Sequence, residues 1–177
     1  MYELIITEKP KAAERVANAL ADDKPAKKTY KKITFYELKH DKKEILIAAA
    51  VGHLYGLKQT AKEKGYPQFE IAWQPAHEIR KESKFTKPYL DLIKKLSKKA
   101  NKFIVATDYD VEGEVIGLNV VKYACEQKDA QRMKFSTLTK QDIIEAYEQK
   151  EKTLNWGQAK AGETRHFLDW YYGINIS

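Results

Sequence analysis

Cysteine and long apolar runs are almost missing from this chain. Cys125 is the single cysteine among 177 residues, which rules out an internal disulfide or a cysteine-based zinc site within the chain. Neither a signal peptide nor an apolar run of about eighteen residues is present. We therefore expect an intracellular, cytoplasmic protein with no membrane partner.

Charged residues, by contrast, are abundant. They make up 32% of the sequence beside 43% hydrophobic residues, which is enough apolar material for a core beneath a highly charged surface. The formal net charge is +7. A basic excess of this size favours a polyanionic partner such as nucleic acid, although a lysine-rich surface also serves solubility alone.

Segments typical of strands and of helices alternate along the chain. The first is a β-prone run from Tyr2 to Thr7, which precedes a helix over 11–21 with Pro10 in its first turn. Further strands are predicted over 33–38, 44–51, 103–107 and 132–136, and further helices over 89–99, 114–126, 143–150 and 156–172. This alternation predicts an α/β fold with a mostly parallel sheet flanked by helices.

Two stretches lack a clear periodicity. Residues 24–32 are polar and rich in lysine, which predicts a solvated loop. Residues 58–81 contain Pro67 and Pro75 and are predicted to run over the surface as a long excursion, a kind of segment that is often functional.

An acidic cluster follows the apolar run at 103–107. Asp108, Asp110, Glu112 and Glu114 crowd negative charge into one turn, which is unfavourable unless a cation lies there. The first three alternate in sequence, so in a loop their side chains would converge on one hard, oxygen-seeking ion. The pattern predicts a Mg²⁺ site.

A second acid, Glu8, ends the first predicted strand. Ligands of open α/β sheets collect at the carboxyl ends of strands, so Glu8 faces Asp108 across one crevice if their strands are neighbours. Mg²⁺ there would bind a phosphate and stabilise charge on a leaving oxygen, and Lys9 would hold that phosphate electrostatically. The alternative is that these acids only solvate a turn and pair with lysines, but two strands ending in such motifs favour metal binding.

The two motifs together, Glu8 after the first predicted strand and Asp108 to Glu112 after a later one, resemble a Toprim domain. That nucleotidyl-transfer fold is shared by topoisomerases, bacterial-type primases, some nucleases and recombination proteins. Five ordered blocks of the sequence are most similar to type IA DNA topoisomerases, and Glu8-Lys9-Pro10 is most similar to the archaeal and topoisomerase III-like branches. The blocks are residues 6–10, 51–54, 106–114, 132–139 and 164–170, the last followed by Gly173 and Ser177.

The resemblance implies a Rossmann-like Toprim domain over 1–150 and the beginning of a helical domain over 151–177, in a chain cut from something longer. Enzymes of this type are isomerases that relax DNA by cutting one strand through a 5′-phosphotyrosine and resealing it. By carry-over, Glu8 acts as general acid and base near the 3′-oxygen and Lys9 stabilises the scissile phosphate. Glu8 would also hold Mg²⁺ together with Asp108, Asp110 and Glu112.

The resemblance also implies that the protein contacts a single-stranded segment of negatively supercoiled DNA and is associated with the nucleoid. Its other partner would be the remainder of the same polypeptide. The matching positions are His53, Arg165, His166 and Trp170. Arg165 offers two donors to a phosphate, and Trp170 an aromatic face to a base. His53 as a loop-ordering hydrogen bonder and Trp170 as a packing residue are the structural alternatives.

Three departures from the family pattern matter. Val111 stands where the family usually has arginine, and His166 replaces the second arginine of a helical pair. The nucleophilic tyrosine of the family lies beyond Ser177, and Tyr66, although followed by proline, lies between the wrong blocks. We therefore expect this chain alone not to relax DNA.

Two other functions are also compatible with the sequence. A different Toprim enzyme, such as a nuclease that uses metal-activated water, fits the acids alone, but the match over 156–177 argues against it. A non-catalytic module that binds nucleic acid through its lysines is the second, because phosphate contacts need no catalytic site.

Overall fold

The computed structural model describes residues 1–60 and 65–176. The strands are β1 (Tyr2–Thr7), β2 (Ala26–Tyr30), β3 (Ile33–His40), β4 (Lys43–Ala49), β5 (Tyr55–Gln59), β6 (Ile71–Pro75), β7 (Ala100–Ala106) and β8 (Gln131–Arg132). The helices are α1 (Pro10–Leu20), α2 (Ala76–Ile79), α3 (Lys87–Ser97), α4 (Val111–Asn119), α5 (Lys140–Glu148) and α6 (Trp156–Asn175). A 3₁₀ segment, Lys81–Thr86, precedes α3, and a π-helical turn, Val120–Ala124, continues α4.

Six strands form one mixed sheet in the order β2-β3-β4-β1-β7-β8. Its centre is parallel, because β1 pairs with β4 on one side and with β7 on the other, both in the same direction. Thr7 lies opposite Ala49 in one pair and opposite Ala106 in the other. The carboxyl ends of the three central strands therefore meet at one edge of the sheet.

Helices cover both faces of this sheet. On one face α1 and α5 bury Val16 and Ile143 against Ile5 and its neighbours. On the other face α3 and α4 bury Leu92 and Val115. Because the central strands are covered on both sides, their inner parts at 4–6, 45–49 and 103–106 are apolar on both faces rather than alternating. The predicted α/β architecture is confirmed.

The prediction of a loop for the lysine-rich segment 24–32 is wrong in part. Residues 26–30 form the antiparallel edge strand β2, in which Lys28 pairs with Glu37 of β3 at 2.6 Å. Its two-residue turn to β3 has positive φ at Lys31 and Lys32, the conformation of a type I′ hairpin. The sequence signal was missed because lysine, not the usual Asn-Gly, occupies the turn.

The excursion predicted over 58–81 contains regular structure. β5 and β6 form a separate two-stranded antiparallel sheet, and α2 follows β6 directly. Residues 61–64 lie outside the described part of the chain. The predicted strand 132–136 is also reduced, since β8 covers only Gln131–Arg132.

The remaining helices differ from prediction mainly at their ends. Thr139 caps α5, its hydroxyl accepting a hydrogen bond from the Asp142 amide at 3.2 Å. In the part of the chain that the structure describes, no helix combines the length and the apolar character needed to cross a membrane.

Candidate metal centre and nucleic-acid groove

Three segments converge at the edge where the central strands end. Glu8 and Lys9 follow β1, His53 follows β4, and Asp108 follows β7. The loop after β4 is pinned to the first segment, since the Gly52 amide donates to the Glu8 carbonyl at 3.2 Å. Topology alone thus brings two of the predicted acids and one predicted DNA-contacting histidine to the same place.

Glu8 and Asp108 are in direct contact. The Asp108 amide donates to Glu8 Oε2 at 3.3 Å. The ammonium of Lys9 lies between the two carboxylates, 2.8 Å from Asp108 Oδ2 and 3.2 Å from Glu8 Oε1. Hydrogen bonds from Lys9 to Asp108 and then to Glu8 raise the pKa of the lysine. The two acids therefore hold a cation between them already, and that cation is a lysine.

Asp110 is the N-cap residue of α4. Its Oδ1 accepts a hydrogen bond from the Gly113 amide at 2.7 Å. A Cβ at Gly113 would overlap the carbonyl oxygen of Asp108, so only glycine lets the chain wind this tightly. The hydroxyl of Thr107 donates to the Gly113 carbonyl at 2.8 Å and closes the turn. The second Asp110 oxygen remains available as a hard donor.

Glu112 lies with histidines. Because α4 begins at Val111, Glu112 is already helical, and its Oε2 is 3.1 Å from His53 Nε2 and 2.9 Å from His166 Nε2. Arg165 Nη1 lies 3.9 Å from the other carboxylate oxygen. Desolvation alone would raise the pKa of Glu112, but the hydrogen bond from His166 and the nearby positive charges hold it below its ordinary value.

The pKa of His53 is also lowered, but this shift favours the neutral form of the imidazole, whereas the shift of Glu112 favours its charged form. Burial lowers the pKa of His53 and the neighbouring His166 lowers it further, which outweighs the attraction of Glu112. The two imidazole rings are 5.2 Å apart between centroids.

The described residues contain one group of three or more possible metal ligands whose atoms lie within 4.8 Å of one another. That group is His53, Glu112 and His166. The predicted set of four carboxylates is therefore divided: Glu8 and Asp108 touch, while Glu112 has histidine partners. Glu8, Asp108 and Asp110 offer the carboxylate oxygens that a hard ion prefers, although their ligand atoms do not all lie within 4.8 Å of one another.

An organising residue escaped the sequence analysis. Arg132, predicted only as part of a strand, is fully buried and pairs with Glu114 at 2.6 Å. Its guanidinium also donates to the carbonyls of Thr107 and Asp108, each at 2.9 Å. These bonds fix the backbone from which the acidic loop departs. No spacing rule pairs Arg132 with Glu114, which lies 18 residues earlier in the sequence. The only signal was a charged residue within a predicted strand, where burial would require a partner of opposite charge.

A groove of about 440 Å³ lies between α6 and the β5–β6 hairpin with α2. It brings together three of the four residues predicted to contact DNA, namely His53, His166 and Trp170. Trp73 and Arg80, which sequence analysis did not single out, also line it. The fourth predicted residue, Arg165, is largely exposed nearby and pairs with Asp169 at 3.7 Å.

Val111, where the family usually has arginine, is a packing residue. A Cβ placed at Gly162 of α6 would come within 2.8 Å of Val111 Cγ1, so these two helices are in close contact. The valine thus joins α4 to α6 and carries no charge toward the site.

Known proteins with similar sequence and structure are consistent with this geometry. A family model described as "Toprim domain" matches residues 3–138. DNA topoisomerase 1 of Pyrococcus furiosus is 49% identical over an alignment of 176 positions, which covers 98% of this chain and 17% of that protein. DNA topoisomerase 1 of Methanocaldococcus jannaschii is 47% identical over an alignment of 179 positions, which covers 100% of this chain and 23% of that protein.

A solved structure shares the fold. Full-length topoisomerase I from Thermotoga maritima superposes with a TM-score of 0.61 at 21% identity, over 94% of this chain and 24% of that one. The chain therefore spans less than a quarter of the length of each of these three relatives.

Proposed function

The chain belongs to the Toprim family, and from that premise we propose that it is the Mg²⁺-binding N-terminal part of a type IA DNA topoisomerase. Such an enzyme relaxes DNA by transient cleavage of one strand through a 5′-phosphotyrosine, followed by religation. The observation that carries the proposal is the contact between Glu8 and Asp108 at the ends of neighbouring parallel strands. The name shared by two relatives, DNA topoisomerase 1, supports it.

Four carboxylates would hold the ion, namely Glu8, Asp108, Asp110 and Glu112. When bound there, Mg²⁺ supplies charge stabilisation to a phosphate and to a leaving oxygen. Glu8 is mostly shielded from water, with 14% of its side chain exposed, and can exchange a proton with the 3′-oxygen of the cut strand.

Lys9 has two positions in this proposal. Without DNA or metal its ammonium lies between Glu8 and Asp108 and offsets one of their two negative charges. Its side chain is 61% exposed, so it is free to turn outward and meet a phosphate when a divalent ion takes over the carboxylates. The exchange keeps a cation beside the two carboxylates in both states.

The groove lined by His53, His166 and Trp170 would receive a single-stranded segment of DNA. Trp170 is half-buried and offers part of its ring for stacking on a base, and Arg165 stands beside it as a phosphate partner. The net charge of +7 adds a non-specific attraction to the backbone. We place the protein in the cytoplasm, associated with the nucleoid where that substrate lies.

The tail over 151–177 would be the first part of a helical domain of the same polypeptide. α6 packs on α4 through Ala159 and Gly162, while Leu168, Tyr172 and Ile176 form an exposed stripe at helical spacing. The nucleophilic tyrosine would come from that remaining polypeptide, so the isolated chain should leave supercoiled DNA unrelaxed.

A graft tests the proposal. Residues 1–176 of this chain would replace the matching segment of the Pyrococcus furiosus DNA topoisomerase 1, and the chimaera would be assayed on negatively supercoiled plasmid with Mg²⁺. We expect relaxation by the chimaera and none by its Asp108→Ala form. A folded chimaera without activity, or equal activity after Asp108→Ala, would overturn the assignment. Mg²⁺-dependent cutting of DNA by the isolated chain would instead identify a Toprim nuclease.

A further inference from the structure

We propose that His53, Glu112 and His166 form a binding site for a borderline transition metal ion such as Zn²⁺, chemically distinct from the all-oxygen centre at Glu8 and Asp108. Each ligand comes from a different part of the fold: the loop after β4, the first turn of α4, and α6. The site exists only because those three elements meet at the same corner. It stands whether or not the chain serves a topoisomerase.

The distances suit a single small ion. Zinc is bound by imidazole nitrogen and carboxylate oxygen at about 2.0–2.2 Å, so neighbouring ligand atoms on a tetrahedral ion lie roughly 3.3 Å apart. Glu112 Oε2 is 3.1 Å from His53 Nε2 and 2.9 Å from His166 Nε2, and all three ligand atoms lie within 4.8 Å of one another. Small side-chain shifts are enough to admit the ion.

The donor types select the metal. Imidazole suits zinc, cobalt and nickel, whereas Mg²⁺ requires oxygen ligands and gives up its water reluctantly. Two histidines and one carboxylate leave a fourth tetrahedral position, and His53 and His166 line the groove, so water or a ligand atom can reach it. This is the ligand count of an open zinc site.

The ion would replace the two hydrogen-bonding contacts that join His53 and His166 to Glu112. Both imidazoles now direct Nε2 at one carboxylate oxygen, and both are partly buried, with 35% and 30% of their side chains exposed. A metal ion in this position takes the place of two imidazole protons and links α6 to the sheet. It also occupies Glu112, so that zinc and Mg²⁺ compete for this one carboxylate.

The test uses the chain without a histidine tag. Zn²⁺ binding is measured by calorimetry, and Co²⁺ serves as a coloured probe whose visible absorption reports tetrahedral nitrogen and oxygen coordination. We expect one equivalent of either ion to bind, and an excess of Mg²⁺ to leave the cobalt spectrum in place. Quenching of that spectrum by equimolar Mg²⁺ would assign the ion to an oxygen site and overturn the proposal.

Matched variants locate the ligands. His166→Arg removes a ligand and places a cation beside Glu112, so loss of binding in a folded variant reports coordination rather than unfolding. We expect His166→Arg, His53→Gln and Glu112→Gln each to lower Zn²⁺ affinity by more than about 100-fold. His77→Gln, a histidine of α2 paired with Glu78, should bind zinc as the parent does. No saturable binding by the parent chain, or equal loss in His77→Gln, would refute the site.

Discussion

Arg132 and Glu114 form an ion pair from which water is excluded. Arg132 Nε lies 2.6 Å from Glu114 Oε1, and neither side chain has exposed surface. The same guanidinium reaches the backbone carbonyls of Thr107 and Asp108. The pair therefore ties the first turn of α4 and the short strand β8 to the point where the acidic loop leaves β7.

Removing one partner of this pair should be severe. Arg132→Met leaves the Glu114 carboxylate buried without a counter-charge and removes the hydrogen bonds to the carbonyls of Thr107, Asp108 and Met133. We therefore expect the free energy of unfolding to fall by about 3–5 kcal/mol. Urea denaturation followed by circular dichroism measures it. Lys134→Ala, which breaks the partly exposed pair with Glu151, should cost only about 0–1 kcal/mol. Equal effects of the two variants would contradict this account.

The tight turn of the acidic loop depends on Gly113. Gly113→Ala must push the Asp108 backbone away, so we expect the variant to lose at least about tenfold in Mg²⁺ affinity and more than about 1 kcal/mol of stability. Calorimetric titration and urea denaturation report the two effects. Gly157→Ala is the control, because its added Cβ meets its nearest neighbour, Asn155 Oδ1, at 3.6 Å. A Gly113→Ala chain with unchanged Mg²⁺ binding would show that the loop tolerates the shift.

Lys9 occupies the space between two carboxylates that the sequence assigns to a metal ion. If the ammonium and Mg²⁺ compete for Glu8 and Asp108, Lys9→Ala should bind Mg²⁺ more tightly, by roughly fivefold. Titration of the chain with Mg²⁺ at constant ionic strength measures the change. Lys11→Ala, an exposed lysine two residues away, should leave the affinity unaltered. Weaker Mg²⁺ binding by Lys9→Ala would mean that the lysine does not compete with the ion.

Alkaline pH should destabilise the fold through Cys125. Burial raises the pKa of the Cys125 thiol to about 12, whereas an exposed cysteine titrates near pH 8.5. Between these values the unfolded chain releases a proton that the folded chain retains, so the free energy of unfolding falls as pH rises through that window. The contribution approaches about 1.4 kcal/mol for each pH unit.

Denaturation curves between pH 8 and pH 11 provide the check. Cys125→Ala should show a shallower fall in stability with pH than the parent, because every other titrating group is shared. Parallel pH profiles for the two chains would rule out the thiol as the cause.

Much of the candidate site follows from local sequence patterns. Apolar runs at 2–7 and 103–107 predict buried strands, and acids directly after them predict carboxylates at strand ends. The contact between Glu8 and Asp108 then needs only one further condition, that the strands be parallel neighbours. Parallel neighbours place their carboxyl ends at the same edge, so this part of the site was predictable.

The partners of Glu112 were not predictable in the same way. Alternation of Asp108, Asp110 and Glu112 suggests a shared direction only in an extended loop, where side chains repeat every second residue. Because α4 begins at Val111, each residue from there turns by about 100°. Glu112 is thereby carried toward His53 and His166, which other elements supply.

The sequence by itself determined the alternation of strands and helices and the identity of the acids at the strand ends, since both depend on neighbours along the chain. Only the tertiary structure decided that Arg132 pairs with Glu114, and that Glu112 contacts His53 and His166, which are distant from it in sequence. These contacts depend on which elements pack together. A buried charge requires a partner, and that partner comes from whichever element packs beside it, however distant in sequence.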